Sequence, residues 1–154
     1  MAKLFWQSLL AFLAVPGVVA FAIPLLVLAP RPLTGRFAAA GAPVVGVGAG
    51  LLLWCVRDFY VSGRGTLAPW VPPRELVVVG LYRMSRNPMY VSVILVLVGW
   101  AVGFRSMPLA LYALAVAVGF HLRVVLGEEP WLAQTHGEKW VRYRDRVPRW
   151  LGFR

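Results

Sequence analysis

Long apolar runs separated by short polar segments form the main pattern of this chain. A transmembrane helix needs about 20 apolar residues to span the roughly 30 Å hydrocarbon layer. Four runs approach that length: Leu4 to Ala29, Phe37 to Val56, Val91 to Phe104, which needs Met89 and Tyr90 to be long enough, and Met107 to Leu126. The pattern predicts an all-α integral membrane protein with four transmembrane helices.

The last two runs predict a C-terminal helical hairpin. Tyr90 and Glu128 lie 38 positions apart, enough for two arms of about 19 residues that cross the bilayer and return. Arg86, Tyr90, Glu128 and Glu129 then emerge on one face of the membrane. Residues far apart in sequence can enclose one polar ligand there.

We divide the chain into an N-terminal transmembrane helix pair, residues 1–56, and a cofactor-binding catalytic region, residues 57–154. The first run has an alternative interpretation as a cleaved secretory signal, because Lys3 precedes it and Ala20 to Ala22 resembles a cleavage site. Its continuation to Leu28 without a polar break favours an uncleaved helix. Small residues every four positions in the second run predict a groove for the first helix or for a second copy of the chain; they are Ala38, Ala42, Gly46 and Gly50.

The segments around the hairpin have their own patterns. Glycines and prolines between Arg57 and Arg86 predict an irregular interfacial loop that includes Trp70, with a short extended segment, Leu76 to Val79, closed by Gly80. After the hairpin, apolar and aromatic residues at helical spacing predict an amphipathic helix, which either lies on the membrane surface or folds back over the hairpin mouth. Its stripe comprises Leu132, His136, Trp140, Tyr143 and Val147.

The charges agree with a membrane topology. The chain is 60% hydrophobic, has a net charge of +10 and a mean hydropathy of +0.71. In a four-helix layout most basic residues fall on one side, which the positive-inside rule assigns to the cytoplasm together with both termini; Arg31, Arg36 and Arg105 fall on the other side. This placement excludes nucleic-acid binding, and the arginine-rich, lysine-poor composition suggests a bacterial inner membrane. A single cysteine, Cys55, excludes an internal disulfide and a cysteine-based metal site.

The hairpin ends carry the candidate chemistry. Pro88 after Asn87 predicts a helix start capped by Asn87, whose N–H groups, with Arg83 and Arg86, favour an anionic ligand group. Adjacent residues of a helix diverge by about 100°, so one glutamate of the Glu128-Glu129 pair is expected to meet the ligand and the other a basic side chain. S-adenosylmethionine carries a carboxylate, an amine, ribose hydroxyls and a sulfonium, and it fits such a bipolar pocket.

The ordered motifs resemble the isoprenylcysteine carboxyl methyltransferase family, to which phospholipid N-methyltransferases are related. The resemblance covers roughly residues 57 to 151. It rests on Gly65 to Pro69, Gly80-Leu81-Tyr82, Arg86 to Tyr90, Glu128-Glu129, Gly137 and Tyr143 to Trp150. It implies that S-adenosylmethionine contacts Tyr82, Asn87, Pro88, Met89, Tyr90 and the acidic pair, with backbone contacts from Leu76 and Val77 near Gly80.

The chain departs from that family at three positions. Asn87 stands where the eukaryotic enzymes have His, and His136 replaces a usual Phe. The arginine that holds the prenylcysteine carboxylate is matched by Arg123, shifted by one position. These departures bear on the methyl acceptor rather than on the cofactor.

Three residues are candidates for acceptor chemistry: Arg86, His121 and Arg123. His121 precedes Glu128 by seven residues and therefore shares its helix face; it is either a base near the acceptor or a donor to a backbone carbonyl. Arg86 has the alternative role of a topology determinant reaching headgroups, and Tyr90 that of an interfacial aromatic residue.

The sequence thus predicts an S-adenosylmethionine-dependent methyltransferase whose lipophilic acceptor is reached within the bilayer. The acceptor is either a carboxylate on a prenyl or acyl thioether or a lipid amine. Two alternatives remain open at this point. One is an NADPH-dependent membrane reductase of the sterol-reductase type, and the other is a non-catalytic scaffold or small transporter.

Overall fold

The computed structural model describes residues 13–28, 38–62 and 76–151, and every regular element in these ranges is helical. The elements in chain order are α1 (Leu13–Ala22, π-wound), α2 (Ile23–Leu28), α3 (Gly41–Ser62), a 3₁₀ turn (Gly80–Arg83), α4 (Pro88–Gly103), α5 (Met107–Arg123), a π-wound turn (Val124–Glu128), α6 (Glu129–His136) and α7 (Glu138–Arg146). The all-helical fold class is confirmed for this part of the chain. The interfacial loop predicted around Trp70 lies outside the described residues.

Two helices are long and apolar enough to cross a membrane, Gly41–Asp58 and the continuous stretch Met107–His136. Two further apolar helices are shorter, Pro16–Leu26 and Pro88–Gly103. Two of the four predicted spans are therefore found by length and composition. α4 does include Met89 and Tyr90, as the third run required.

The helical hairpin is confirmed. α4 and α5 run antiparallel, joined by a turn at residues 104–106, and α3 packs along α4. The central core joins α1, α3, α4 and α5 through Ala20, Leu52, Val93, Val96, Leu97 and Ala113.

Within the described residues, the predicted small-residue face of α3 does not pack on the first helix, and a second copy of the chain as its partner stays a prediction. Gly46 and Gly50 have open space where a Cβ would project, whereas a Cβ on Gly48 would lie 2.8 Å from the backbone nitrogen of Val96. On α4, Gly99 returns the contact, since its Cβ would lie 2.6 Å from a methyl group of Val45. The close approach that small residues permit is thus made with α4. The spacing of small residues alone does not reveal which helix face a neighbour takes.

Pro24 explains how α1 is attached to the hairpin. Proline has no N–H, so it leaves without a donor both the carbonyl four residues earlier, at Ala20, and the one five residues earlier, at Val19, which the π-winding would pair. Side chains of the hairpin replace the missing donor. Trp100 Nε1 donates to the Ala20 carbonyl at 3.1 Å, and the Tyr112 hydroxyl donates to the Val19 carbonyl at 3.1 Å.

The C-terminal amphipathic helix is two helices rather than one. Gly137, at φ +49°, separates α6 from α7, a backbone conformation that favours glycine. Trp140, Tyr143 and Val147 remain on one face and are buried with Leu76 and Leu132. Of the two placements that the sequence left open, folding back over the hairpin mouth is the one observed.

Candidate active site at the open end of the hairpin

The open end of the hairpin begins at Pro88, the first residue of α4, as predicted. Asn87 occupies the N-cap position, but the predicted side-chain cap is wrong. The Asn87 amide Nδ2 instead donates to the Arg149 carbonyl at 3.0 Å. Asn87 therefore ties the start of α4 to the C-terminal segment, because that carbonyl lies within its reach.

A first polar cluster joins the two arms directly. The Tyr90 hydroxyl donates to Glu128 Oε1, and Arg123 Nε donates to the same oxygen at 2.8 Å and to the Tyr90 oxygen at 3.2 Å. The Tyr90 ring stacks on Phe120 at 4.3 Å between centroids. The side chains of Arg123 and Glu128 are 52% and 32% exposed, so both can exchange partners with a ligand.

A second polar cluster lies beside the first and is more enclosed. Arg149 holds Glu129 with two hydrogen bonds of 2.8 Å, from Nε and Nη2, and Arg86 Nη1 lies 2.9 Å from Glu129 Oε1. The Arg86 side chain is 7% exposed, and its guanidinium lies 5.4 Å from the centre of the Trp140 ring. A snorkelling role for Arg86 is therefore wrong, since its charge is buried against a carboxylate.

Glu128 and Glu129 point to different partners, as adjacent helical residues must. Both contact arginine, Glu128 through Arg123 in the more open cluster and Glu129 through Arg86 and Arg149 in the more enclosed one. The expected contact of one glutamate with a ligand stays a prediction.

The C-terminal segment closes over the 3₁₀ turn and the start of α4. The Arg86 backbone N–H donates to the Pro148 carbonyl at 2.9 Å, and the buried Tyr143 hydroxyl donates to the Tyr82 carbonyl at 2.7 Å. Burial raises the pKa of Tyr143 well above its ordinary value, which keeps this donor protonated. The bidentate hydrogen bonds with Glu129 raise the pKa of Arg149.

The residues before α4 form a third region, packed on the end of α3. Val77 and Tyr82 are buried with Cys55, and Leu76 packs on the Trp140 cluster. Burial raises the pKa of Tyr82 well above its ordinary value. Met89 bridges this region and the central core.

Gly80 adopts φ +52°, and a Cβ there would overlap the carboxylate of Asp58. Asp58 is buried, and its Oδ2 has no hydrogen-bond partner in the described part of the chain; Arg57 Nη1 lies 3.3 Å from Oδ1. The Asp58 carboxylate therefore packs against the turn only because residue 80 has no side chain. A buried polar atom without a partner is costly, which makes this corner a candidate for ligand contact.

His121 lies on the exposed surface, and its partner differs from both expectations. Trp150 Nε1 donates to His121 Nδ1 at 3.3 Å, with the two rings stacked at 6.1 Å. Because Nδ1 accepts, the neutral imidazole carries its proton on Nε2. A role of His121 near the methyl acceptor stays a prediction.

The sequence analysis assigns no site role to three residues that organise the site. Arg149 enters only as part of the family motif that ends at Trp150, Trp140 only as an aromatic residue of the helix stripe, and Asp58 not at all. Asp58 carried a usable signal, because an ionisable residue at the end of an apolar helix is a functional hypothesis by default. The C-terminal motif does not indicate a partner for Arg149, since its pairing with Glu129 depends on the fold of that segment.

The donor set fits a zwitterionic nucleoside better than a metal ion. Cationic side chains, carboxylates and the amide of Asn87 gather at one end of the hairpin, which suits a ligand bearing both charges and hydroxyls. Among residues 13–28, 38–62 and 76–151, no group of three or more His, Cys, Asp or Glu side chains is arranged to hold a metal. The site offers cations for a carboxylate and carboxylates for an amine or hydroxyls, so its residues match the polar groups of S-adenosylmethionine in charge.

A helical hairpin with charged residues at its open end, together with two described helices of membrane-crossing length, is typical of α-helical membrane proteins. Residues 37–139, about two thirds of the chain, match the family model for phospholipid methyltransferases. The chain belongs to the phospholipid methyltransferase family, whose members are methyltransferases. Comparisons with curated proteins and with solved structures give no match.

The motifs resemble the isoprenylcysteine carboxyl methyltransferase family, and the matched family, the phospholipid methyltransferases, is the one named above as related to it. It includes the 3₁₀ turn, the hairpin and the acidic pair, and it ends at residue 139, before the segment that carries Trp140, Tyr143 and Arg149.

Proposed function

We propose that this protein transfers a methyl group from S-adenosylmethionine to a lipophilic acceptor within the membrane. The proposal rests on the contact between the start of α4, at Tyr90, and the end of α5, at Arg123 and Glu128. The Tyr90–Glu128–Arg123 cluster, partly exposed, lies beside the enclosed Glu129 cluster. The match to a family of phospholipid methyltransferases supports the same reaction type.

When bound, S-adenosylmethionine would supply a methyl group activated by its sulfonium, and no acid is needed for S-adenosylhomocysteine to leave. An amine acceptor would release one proton to the solvent. The protein has to bind, orient and exclude water. In this proposal Arg123 and the start of α4 take the carboxylate of the cofactor, and Glu128 takes its amine or ribose hydroxyls. The buried Glu129 cluster keeps the start of α4 and the acidic pair at a constant separation.

For the acceptor, we propose a lipid amine ahead of a thioether carboxylate. The family match favours a phospholipid, and the arginine expected for a prenylcysteine carboxylate is engaged here, as Arg123, with Glu128 and Tyr90. Assignment to the isoprenylcysteine enzymes would require Arg123 to leave that cluster and bind the acceptor.

Binding of S-adenosylhomocysteine by the purified protein in detergent tests the cofactor assignment. We expect Glu128→Gln to weaken binding at least tenfold, about 1.4 kcal/mol, because the variant removes the charge and leaves the shape. Glu138→Gln, at an exposed glutamate of α7, is the matched control and should bind normally. Equal affinity in both variants would contradict the assignment of Glu128.

The reductase alternative is separated by a thermal-shift comparison. S-adenosylhomocysteine should raise the Tm and NADPH should not, because Arg86 and Arg149 are engaged with Glu129 and Arg123 with Glu128. Stabilisation by NADPH alone would overturn the methyltransferase proposal, and stabilisation by neither ligand would favour a scaffold.

The acceptor is identified by incubating the protein with methyl-labelled S-adenosylmethionine and total membrane lipid. Label in an aminophospholipid supports the amine, and base-labile label supports a carboxylate ester. We further propose a four-span arrangement in the cytoplasmic membrane with the site and both termini on the cytoplasmic face.

A further inference from the structure

A second feature of the hairpin lies at its opposite end, far from the acidic pair. A groove of about 530 Å³ runs along α4 and α5 to the turn that joins them. Its walls are almost entirely apolar and include Val98, Ala101, Val102, Ala110, Ala113 and Leu114. Its volume is in the range of ligand-binding pockets.

Two polar residues, Arg105 and Ser106, close the groove at the turn. Arg105 is exposed, and its guanidinium has no hydrogen bond or ion pair with any residue that the structure describes. The apolar groove thus ends at a positive charge. An amphipathic molecule with an anionic head matches this arrangement.

Ser106 adds an independent observation. It is 7% exposed, and its hydroxyl oxygen is shielded from solvent without a hydrogen-bond partner among the described residues. Ser106 is the N-cap residue of α5, yet its side chain makes no capping bond. A serine oxygen at this position normally accepts a hydrogen bond from a backbone N–H of the first helical turn. Among the described residues, the Ser106 hydroxyl beside the groove neither accepts nor donates one.

The backbone conformation of Arg105 also supports a role for its charge. Arg105 has φ 47°, and it is the one residue other than glycine with a positive φ in the described ranges. A glycine would occupy this turn without strain, whereas an arginine is strained there. A strained arginine at a position that suits glycine is expected where the positive charge of its side chain has a role in binding.

We propose that this groove is a binding site for a phospholipid, distinct from the candidate active site. An acyl chain lies between α4 and α5, and the phosphate lies at the turn. Arg105 neutralises the phosphate, the Ser106 hydroxyl donates to it after rotation about χ1, and the N-terminus of α5 adds a partial positive charge. In the proposed topology the bound lipid belongs to the leaflet opposite the active site.

Native mass spectrometry of the full chain in detergent, titrated with dioleoyl-phosphatidylglycerol, tests the proposal. We expect Arg105→Gln to weaken binding at least tenfold and Arg105→Lys to retain most of it. Arg105→Gly is the most informative variant, because glycine suits the positive φ and the variant should fold at least as well as the native chain while losing the lipid. Arg142→Gln, at an exposed arginine of α7, is the control and should bind within twofold of the native chain.

Two control ligands and one further variant show which part of the phospholipid is recognised. Dioleoylglycerol, which has the same chains without the phosphate, should bind at least tenfold more weakly, and inorganic phosphate should not displace the phospholipid. Ala110→Trp, which fills the groove from an exposed position, should abolish binding. Unchanged affinity in Arg105→Gly, or equal affinity for dioleoylglycerol, would overturn the proposal.

Discussion

At the scale of single residues, Arg86 shows why position in the fold matters more than residue type. Its guanidinium is buried over Trp140 and beside Glu129. A buried charge is tolerated only when it is paired, and removal of one partner is strongly destabilising. Glu129 is thus assigned chiefly to structure, whereas the more exposed Glu128 is assigned to the ligand.

We therefore expect Glu129→Gln to lower the free energy of unfolding by roughly 3 kcal/mol, because Arg86 and Arg149 lose their shared carboxylate. Glu128→Gln should change it by less than about 1 kcal/mol, since that pair is substantially exposed. Tm measurements in detergent compare the two variants. A larger loss in Glu128→Gln would reverse the assignment.

Gly80 gives a second prediction at this scale. Gly80→Ala combines an unfavourable positive φ with overlap on the Asp58 carboxylate, so we expect a loss of roughly 1 to 3 kcal/mol in stability. Gly119→Ala, at a helical position with open space, should be neutral or stabilising, because alanine is the better helix former. Thermal unfolding of both variants checks the contrast, and equal Tm values would contradict it.

At the scale of elements, the contact between α3 and α4 depends on which glycines face the neighbour. Gly48 and Gly99 allow the two backbones to approach, while Gly46 and Gly50 line the opposite side. The small-residue stripe that includes Gly46 and Gly50 has no neighbour among the described residues of the single chain. That a second copy of the chain packs on this stripe stays a prediction.

Gly48→Val should therefore destabilise the protein by roughly 1 to 3 kcal/mol through overpacking, since the new side chain would meet the backbone of α4. Gly46→Val on the same helix should change stability by less than about 0.5 kcal/mol. The pair is compared by Tm in the same detergent. Similar losses in both variants would show that the propensity of valine, and not the contact, is responsible.

At the scale of the whole molecule, the hairpin separates two sites. The acidic pair and Arg86 lie at its open end, and Arg105 lies at its turn. If the hairpin crosses the membrane, these sites face opposite compartments.

Single-cysteine labelling tests this arrangement. Native Cys55 is fully buried, so it should give little background with a membrane-impermeant maleimide. We expect Arg105→Cys to be labelled from the outside of intact cells and Arg142→Cys only after the membrane is opened, in accord with the positive-inside rule. Labelling of both positions from one side would exclude a crossing hairpin.

The apolar pattern determined the helical class and the hairpin, and Pro88 determined the start of α4. These features follow from local chemistry: hydrocarbon forces backbone groups to bond within a helix, and proline suits the first helical turn. The motifs from Gly80 to Glu129 likewise indicated the family relation from sequence, because they preserve order and spacing.

Tertiary structure alone decided the remaining features. The pairing of Glu129 with Arg149, the diversion of Asn87 from its cap, and the choice of Gly48 over Gly46 each join residues whose separation in sequence carries no periodic signal. Such contacts depend on how the C-terminal segment and the helices come together in three dimensions. A linear pattern specifies which faces can pack, and the competition among all packing partners selects the one that does.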